Sequence, residues 1–168
     1  MYHDSVYPVS QTGSTGMAFE AGASGKNLTE WQFGMASLNP RWNVSGTYMQ
    51  VLPTFISTDQ DGNDEKEFLL DYFNELPDLL SMVFLKGYQW PFDVNKIFGG
   101  SSVIDLLVYQ ETVLKKRRVF LDYRVNPGNL EKDRDLPYAS MIPEAKEYLS
   151  QAGACFGTPI ERLKHMNE

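Results

Sequence analysis

The stretch "PDLLSMVFLKG", Pro77 to Gly87, decides the fold class. Leu79, Leu80, Val83 and Phe84 recur at the spacing of one helical face, Pro77 stands where a first-turn N–H is not needed, and Gly87 ends the run. Such a stripe needs an apolar surface to cover it. Before it, the turn signal Asp61-Gly62 leads to Asp64 and Glu67, spaced as a capping box, and then to Phe68, Leu69, Tyr72, Phe73 and Leu76 at helical spacing. After it, "GYQWPFD", Gly87 to Asp93, reads as an aromatic loop, and Ser101 or Ser102 caps a helix with the stripe Val103, Ile104, Leu107, Val108 and Leu114. Two further helices are predicted at Pro143 to Gln151 and Pro159 to Met166, the second with Thr158, Pro159 and Glu161 as cap, first-turn proline and reciprocal glutamate.

Between the helices lie β-branched and aromatic runs at Leu28 to Phe33, Thr47 to Ser57 (edged by Pro53) and Val119 to Tyr123, which predict strands. "SLNPRWNVSG", Ser37 to Gly46, reads as a loop, and Met1 to Gln11 as extended chain or loop. Strands and helices do not alternate, so the expected class is α+β, a mixed small sheet with several helices. With 168 residues and a 42% hydrophobic fraction, the chain is expected to form a single domain, 1–168, with its own core.

The formal net charge of -7 would repel a phosphate backbone, which excludes nucleic acid as a partner. The one basic cluster, Lys115 to Arg118, falls at a predicted helix end, where cations complement the macrodipole. Cys155 is the only cysteine, so no internal disulfide or thiolate zinc cage can form, and a reducing cytoplasmic setting is expected. No apolar run of membrane-spanning length and no export leader is read, so no membrane insertion is expected.

Most motifs yield structure rather than chemistry. In "STDQDGNDEKE", placing Asp59, Asp61 and Gly62 at calcium-loop positions puts Phe68 where the bidentate carboxylate is needed, so the acidic run reads as a solvated turn. His3 and His165 are the only histidines and lie near opposite ends of the chain, giving no imidazole pair for a metal. No Gly-x-Ser-x-Gly frame occurs. "FGGSS", Phe98 to Ser102, reads as a loop and cap, with anion binding at its free amides as the alternative. Tyr88, Trp90 and Phe92 read as packing or, in the alternative, as a stacking platform; on that second reading the chain is a non-catalytic binding module that uses the loop around Trp90 for carbohydrate or a protein partner.

One segment asks for a different explanation. "TGSTGMAFEAGA", Thr12 to Ala23, puts two glycines and hydroxyls before a short helix predicted from Gly16 to Ala23, capped by Ser14 or Thr15 and ended by Gly25. Ala18, Ala21, Gly22 and Ala23 offer little apolar area. That face suits the close approach of another backbone or a flat ligand.

Five segments, in order, resemble the FAD-dependent oxidoreductases related to the flavoprotein subunits of fumarate reductase and succinate dehydrogenase. "TGSTGMAFEAGA" resembles that family's glycine turn and Met-Ala helix, "LTEWQFG" its Met-Glu-Phe stretch, and "STDQDGN" the turn after its substrate segment. "SSVIDLLVYQE" resembles the helix that begins Arg-Asp there, and "RVFLDYR" its Val-Tyr-Leu-Asp strand. The resemblance implies that residues 1–40 adjoin the flavin domain and that 41–168 form the capping or substrate domain. It implies Gly13 and Ser14 as FAD contacts, Gln32, Thr47 and Ser101 as substrate contacts, and Tyr48 as the catalytic proton-transfer group. The family's pyrophosphate-seating Gly-x-Gly-x-x-Gly is not in this sequence, and its later flavin segment would follow Glu168. Its histidine falls at Gly34, or at Met35 if the register slips by one; its proton-donating arginine falls at Ser101 and its cofactor-contacting aspartate at Ser14. The expectation is therefore an oxidoreductase fragment, inactive alone and binding FAD weakly, whose partners are the remaining flavoenzyme with its dinucleotide-binding domain, a small-molecule substrate, and further copies of itself through exposed apolar surfaces.

Overall fold

The apolar stripe of Pro77 to Gly87 becomes the central helix of the molecule. The computed structural model describes residues 13–26, 34–129 and 137–166. Its elements run α1 (Ser14–Glu20), β1 (Ala36–Leu38), β2 (Arg41–Asn43), α2 (Thr47–Gln50), β3 (Thr54–Thr58), α3 (Leu76–Lys86), α4 (Ser102–Tyr109), β4 (Arg118–Asp122), α5 (Pro143–Gln151) and α6 (Pro159–His165). The class is α+β, with two antiparallel two-stranded sheets.

Leu79, Leu80, Val83 and Phe84 of α3 share one core with Phe55 of β3, Val103 and Ile104 of α4, and Ala145 and Leu149 of α5. Each of these large side chains contributes about 1.5–3 kcal/mol when fully buried. Helix α6 begins with the predicted reciprocal cap between Thr158 and Glu161, behind Pro159. Gly87 has a second reason to be glycine: a Cβ there would come within 2.7 Å of Gln50 Cγ and 2.9 Å of the Gly46 carbonyl, closing the contact between α2 and α3.

The predicted strand from Thr47 to Ser57 is only partly one. Gly46 enters at a φ of 61°, Thr47 to Gln50 coil into α2, and the chain turns at Leu52, a buried residue held at a φ of 59°, before β3 begins. That left-handed corner costs an L-residue about 1–2 kcal/mol. It is fixed from far away, because Arg162 donates to the Val51 carbonyl through Nε (3.1 Å) and Nη2 (2.9 Å). Strand β3 pairs with β4 from Thr54↔Asp122 to Thr58↔Arg118, and Ser57 bridges Lys66 as well. Flanked in this way, β3 is buried along its whole length, whereas β4 alternates.

Other expectations also need correction. "SLNPRWNVSG" holds the hairpin β1–β2, with Ala36↔Asn43 and Leu38↔Arg41 paired around a cis Asn39–Pro40 bond. The helix expected after Asp64 is a single 3-10 turn, Phe68–Asp71, because Asp64 takes a φ of 51° and the Glu67 carboxylate instead accepts from the Gly128 N–H (2.9 Å). Helix α4 widens into a π turn, Gln110–Leu114, which leaves Leu114 66% exposed and carries Glu111 inward. There Glu111 accepts from Ser57 Oγ (2.9 Å) and Lys115 Nζ (2.5 Å). The run from Leu28 to Phe33 lies outside the described residues.

Candidate functional site

Helix α1 differs from every other helix in the fold. It starts at Gly13 in the left-handed region (φ 87°) with no side-chain cap hydrogen bond, so neither Ser14 nor Thr15 plays the expected capping role, and it closes at Ala21 rather than Ala23. None of its residues is buried; Met17 is 71% exposed, and Ala18, Ala21 and Gly22 are exposed. A Cβ built on Gly13, Gly16 or Gly22 would meet nothing within 4 Å among the described residues. The small side chains therefore leave open ground over the backbone.

Thr47 and Tyr48 are neighbours on α2, Thr47 half-buried and Tyr48 42% exposed. The Tyr48 ring stands edge-on to Trp42 of the hairpin, with centroids 5.5 Å apart, and the Tyr48 carbonyl accepts from Tyr123 Oη (3.0 Å). Burial pushes the Tyr123 phenol well above its ordinary range, with Tyr48 adding to the shift, so Tyr123 acts as a neutral donor. Trp42 flanks the Tyr48 ring and Tyr123 holds the Tyr48 carbonyl, a grouping that sequence reading did not assemble. Their only signal was a tryptophan in a supposed loop and a tyrosine at a strand end. Gln32 lies outside the described residues.

Ser101 is placed differently. It is fully buried before α4, where its N–H donates to Gln89 Oε1 (3.1 Å) and its hydroxyl to the Gln89 carbonyl (3.4 Å). Both groups hold the aromatic loop rather than face solvent. The rest of that loop is anchored too: Trp90 donates from its indole to the Met35 carbonyl (2.8 Å), and its ring lies so near Gly34 that a Cβ there would come within 2.7 Å of it. Beneath the loop, Lys86 Nζ donates to the carbonyls of Gln89 (3.3 Å) and Trp90 (2.8 Å) and to Asp105 Oδ2 (2.5 Å). Three acceptors match the three N–H donors of an ammonium. Burial pushes the Asp105 carboxyl up and the Lys86 ammonium down, and the hydrogen bond between them opposes both shifts. Asp105 Oδ1 is buried without a hydrogen-bond partner among the described residues. A charged residue inside "SSVIDLLVY" was the sequence signal for this pair.

A cavity of about 470 Å³ beside α6 is lined by Gly153, Ala154, Phe156, Gly157, Glu161, Arg162 and His165. Burial lowers the Arg162 guanidinium to about 10, yet it has no donor to spare for a ligand. Its Nε and both terminal nitrogens donate to Val51, Asn126, Phe156 and Gly157. Five N–H groups serve five bonds. The acidic turn is likewise self-satisfied, since Asp59 Oδ1 accepts from the N–H groups of Asp61 (3.0 Å) and Asn63 (2.7 Å). Among the described residues no cluster of His, Cys, Asp and Glu could hold a metal ion, and no helix is long and apolar enough to cross a membrane.

Comparisons with protein-family models, curated proteins and solved structures find no match to this chain.

Proposed function

We propose that the chain is the capping piece of an FAD-dependent oxidoreductase related to the flavoprotein subunits of fumarate reductase and succinate dehydrogenase. The observation that carries the reading is the open backbone surface of α1, where the residues of the resemblance's glycine turn and Met-Ala helix lie exposed with none of the described residues against their glycines. A flat ring can approach backbone at Gly13, Gly16 and Gly22, whose missing side chains leave room beside the exposed Met17 and Phe19.

The residues fit one side of an FAD site. Gly13, Gly16 and Gly22 give the open ground a ring needs, and Gly13 and Ser14 would hold it. The same helix carries no cation, and the sequence has no glycine fingerprint to seat a pyrophosphate, so that half belongs to the partner domain. FAD supplies the hydride chemistry when bound. Thr47 orients substrate with its hydroxyl, Gln32 adds a further substrate contact, and Tyr48 moves a proton at its phenol oxygen. Ser101 acts through Gln89, holding the loop that borders this face. The single cysteine suits work in the reducing cytoplasm.

Reading the coding sequence on either side of this region tests the proposal. A Gly-x-Gly-x-x-Gly strand-turn-helix encoded upstream in the same frame is the expected result. A start at Met1 and a stop after Glu168, with no such segment encoded nearby, would overturn it.

A further inference from the structure

The end of α3 and one face of α5 enclose a cleft of about 430 Å³, lined by Leu85, Tyr88, Glu144, Glu147, Tyr148 and Gln151. The four α5 residues stand at i, i+3, i+4 and i+7, so a single helical face supplies them. Tyr88 and Tyr148 lie 6.4 Å apart between centroids with their planes at 85°, and each ring is 5.5 Å from Phe84, which is fully buried. The core thus fixes the aromatic corner. Gln151 Nε2 donates to Glu147 Oε1 (2.9 Å) and steadies that carboxylate.

Two carboxylates border this corner, and among the described residues neither forms an ion pair with a lysine or arginine. Glu144 in the first turn also complements the α5 macrodipole, Glu147 is steadied by Gln151, and Tyr88, hydrogen-bonded to Gln50, keeps an exposed ring on the cleft wall. Burial and the neighbouring Tyr148 raise the Tyr88 phenol, which keeps it neutral and leaves the carboxylates as the only charges among the described residues of the cleft wall. Aromatic faces beside carboxylates attract a cation by quadrupole and by charge, and Leu85 offers apolar contact for an alkyl stem.

We propose that this cleft binds an organic cation of side-chain size, an alkylammonium or a guanidinium, between Tyr88, Tyr148, Glu144 and Glu147. The same chemistry is offered by a free amine and by a lysine or arginine side chain on a polypeptide. The site is separate from the flavin-facing residues and does not depend on them.

Amide NMR titration of the 168-residue chain with butylammonium and with butylguanidinium tests it, with butanol as the neutral isostere. Saturable shifts confined to Leu85–Tyr88 and Glu144–Gln151 are expected from both cations, with none from butanol. Glu144→Gln with Glu147→Gln should weaken the affinity at least tenfold, and Tyr88→Leu severalfold. In the unaltered chain added salt should weaken it as well, which keeps the test valid if a variant folds poorly. Binding of a capped Gly-Lys-Gly peptide tenfold tighter than butylammonium marks a polypeptide source, and equal affinity marks a free amine. Absence of saturable shifts, equal shifts from butanol, or affinity indifferent to salt and to loss of both carboxylates would overturn the proposal.

Discussion

Helices α1 and α3 are made of opposite materials and meet opposite surroundings. Helix α3 buries Leu79, Leu80, Val83 and Phe84 in the common core and ends on Lys86, whose charge is matched inside the protein. Helix α1 buries nothing, and its alanines and glycines gain no packing from the described residues. The contrast teaches that the α3 sequence answers to the core of the described residues, while the composition of α1 does not; under the proposed function it answers to a cofactor-bearing body outside the chain.

Removing one partner of the buried pair should have the largest effect, because it strands a charge. Asp105→Ala is expected to cost about 3–5 kcal/mol in denaturant unfolding, and joining it to Lys86→Met should recover most of that loss. Arg162→Ala comes next, at about 3 kcal/mol, since it strips hydrogen bonds from the Val51 and Gly157 carbonyls and from Asn126 beside a left-handed corner. A loss below 1 kcal/mol from either single variant would mean that the centre is not closed as described.

Glu111 gives a smaller, pH-dependent effect. Burial alone would raise its carboxyl, but hydrogen bonds from Lys115 and Ser57 outweigh that and hold it below the usual glutamate range. Its folded-state pKa thus lies below its unfolded one. The stability it adds is present above the ordinary range and is lost as pH falls through the folded value. Glu111→Gln should cost about 1.5 kcal/mol near neutrality and flatten the acid limb of a pH-stability curve. At the bottom of the scale, Ala18→Trp in this chain should change stability by no more than about 0.5 kcal/mol, as for an exposed residue with no packing partner.

What the sequence revealed divides along the same line. Helices α3, α5 and α6 were legible because stripe, proline and cap are all local, and the α6 cap formed as read. The run from Thr47 to Ser57 misled because the break at Leu52 depends on Arg162, more than a hundred residues away in sequence. The inward turn of Glu111 similarly depends on Ser57, and the short turn at Phe68 on the pull of Gly128 on Glu67. At the candidate site, Thr47 and Tyr48 sit on helix α2 rather than on the expected strand, and Ser101 is drawn under the loop by Gln89, a partner that no local spacing announces. Trp42 and Tyr123 join Tyr48 only through the folded chain.

Flavin content is the most direct test of whether α1 lies against the cofactor. The protein expressed with its flanking coding region should retain FAD, read from visible absorbance after purification. Ala18→Trp in that protein should lower the retained flavin at least tenfold, while barely moving the stability of the present chain. Full flavin content with tryptophan at that position, or a stoichiometric yellow complex formed by the present chain alone, would contradict the account.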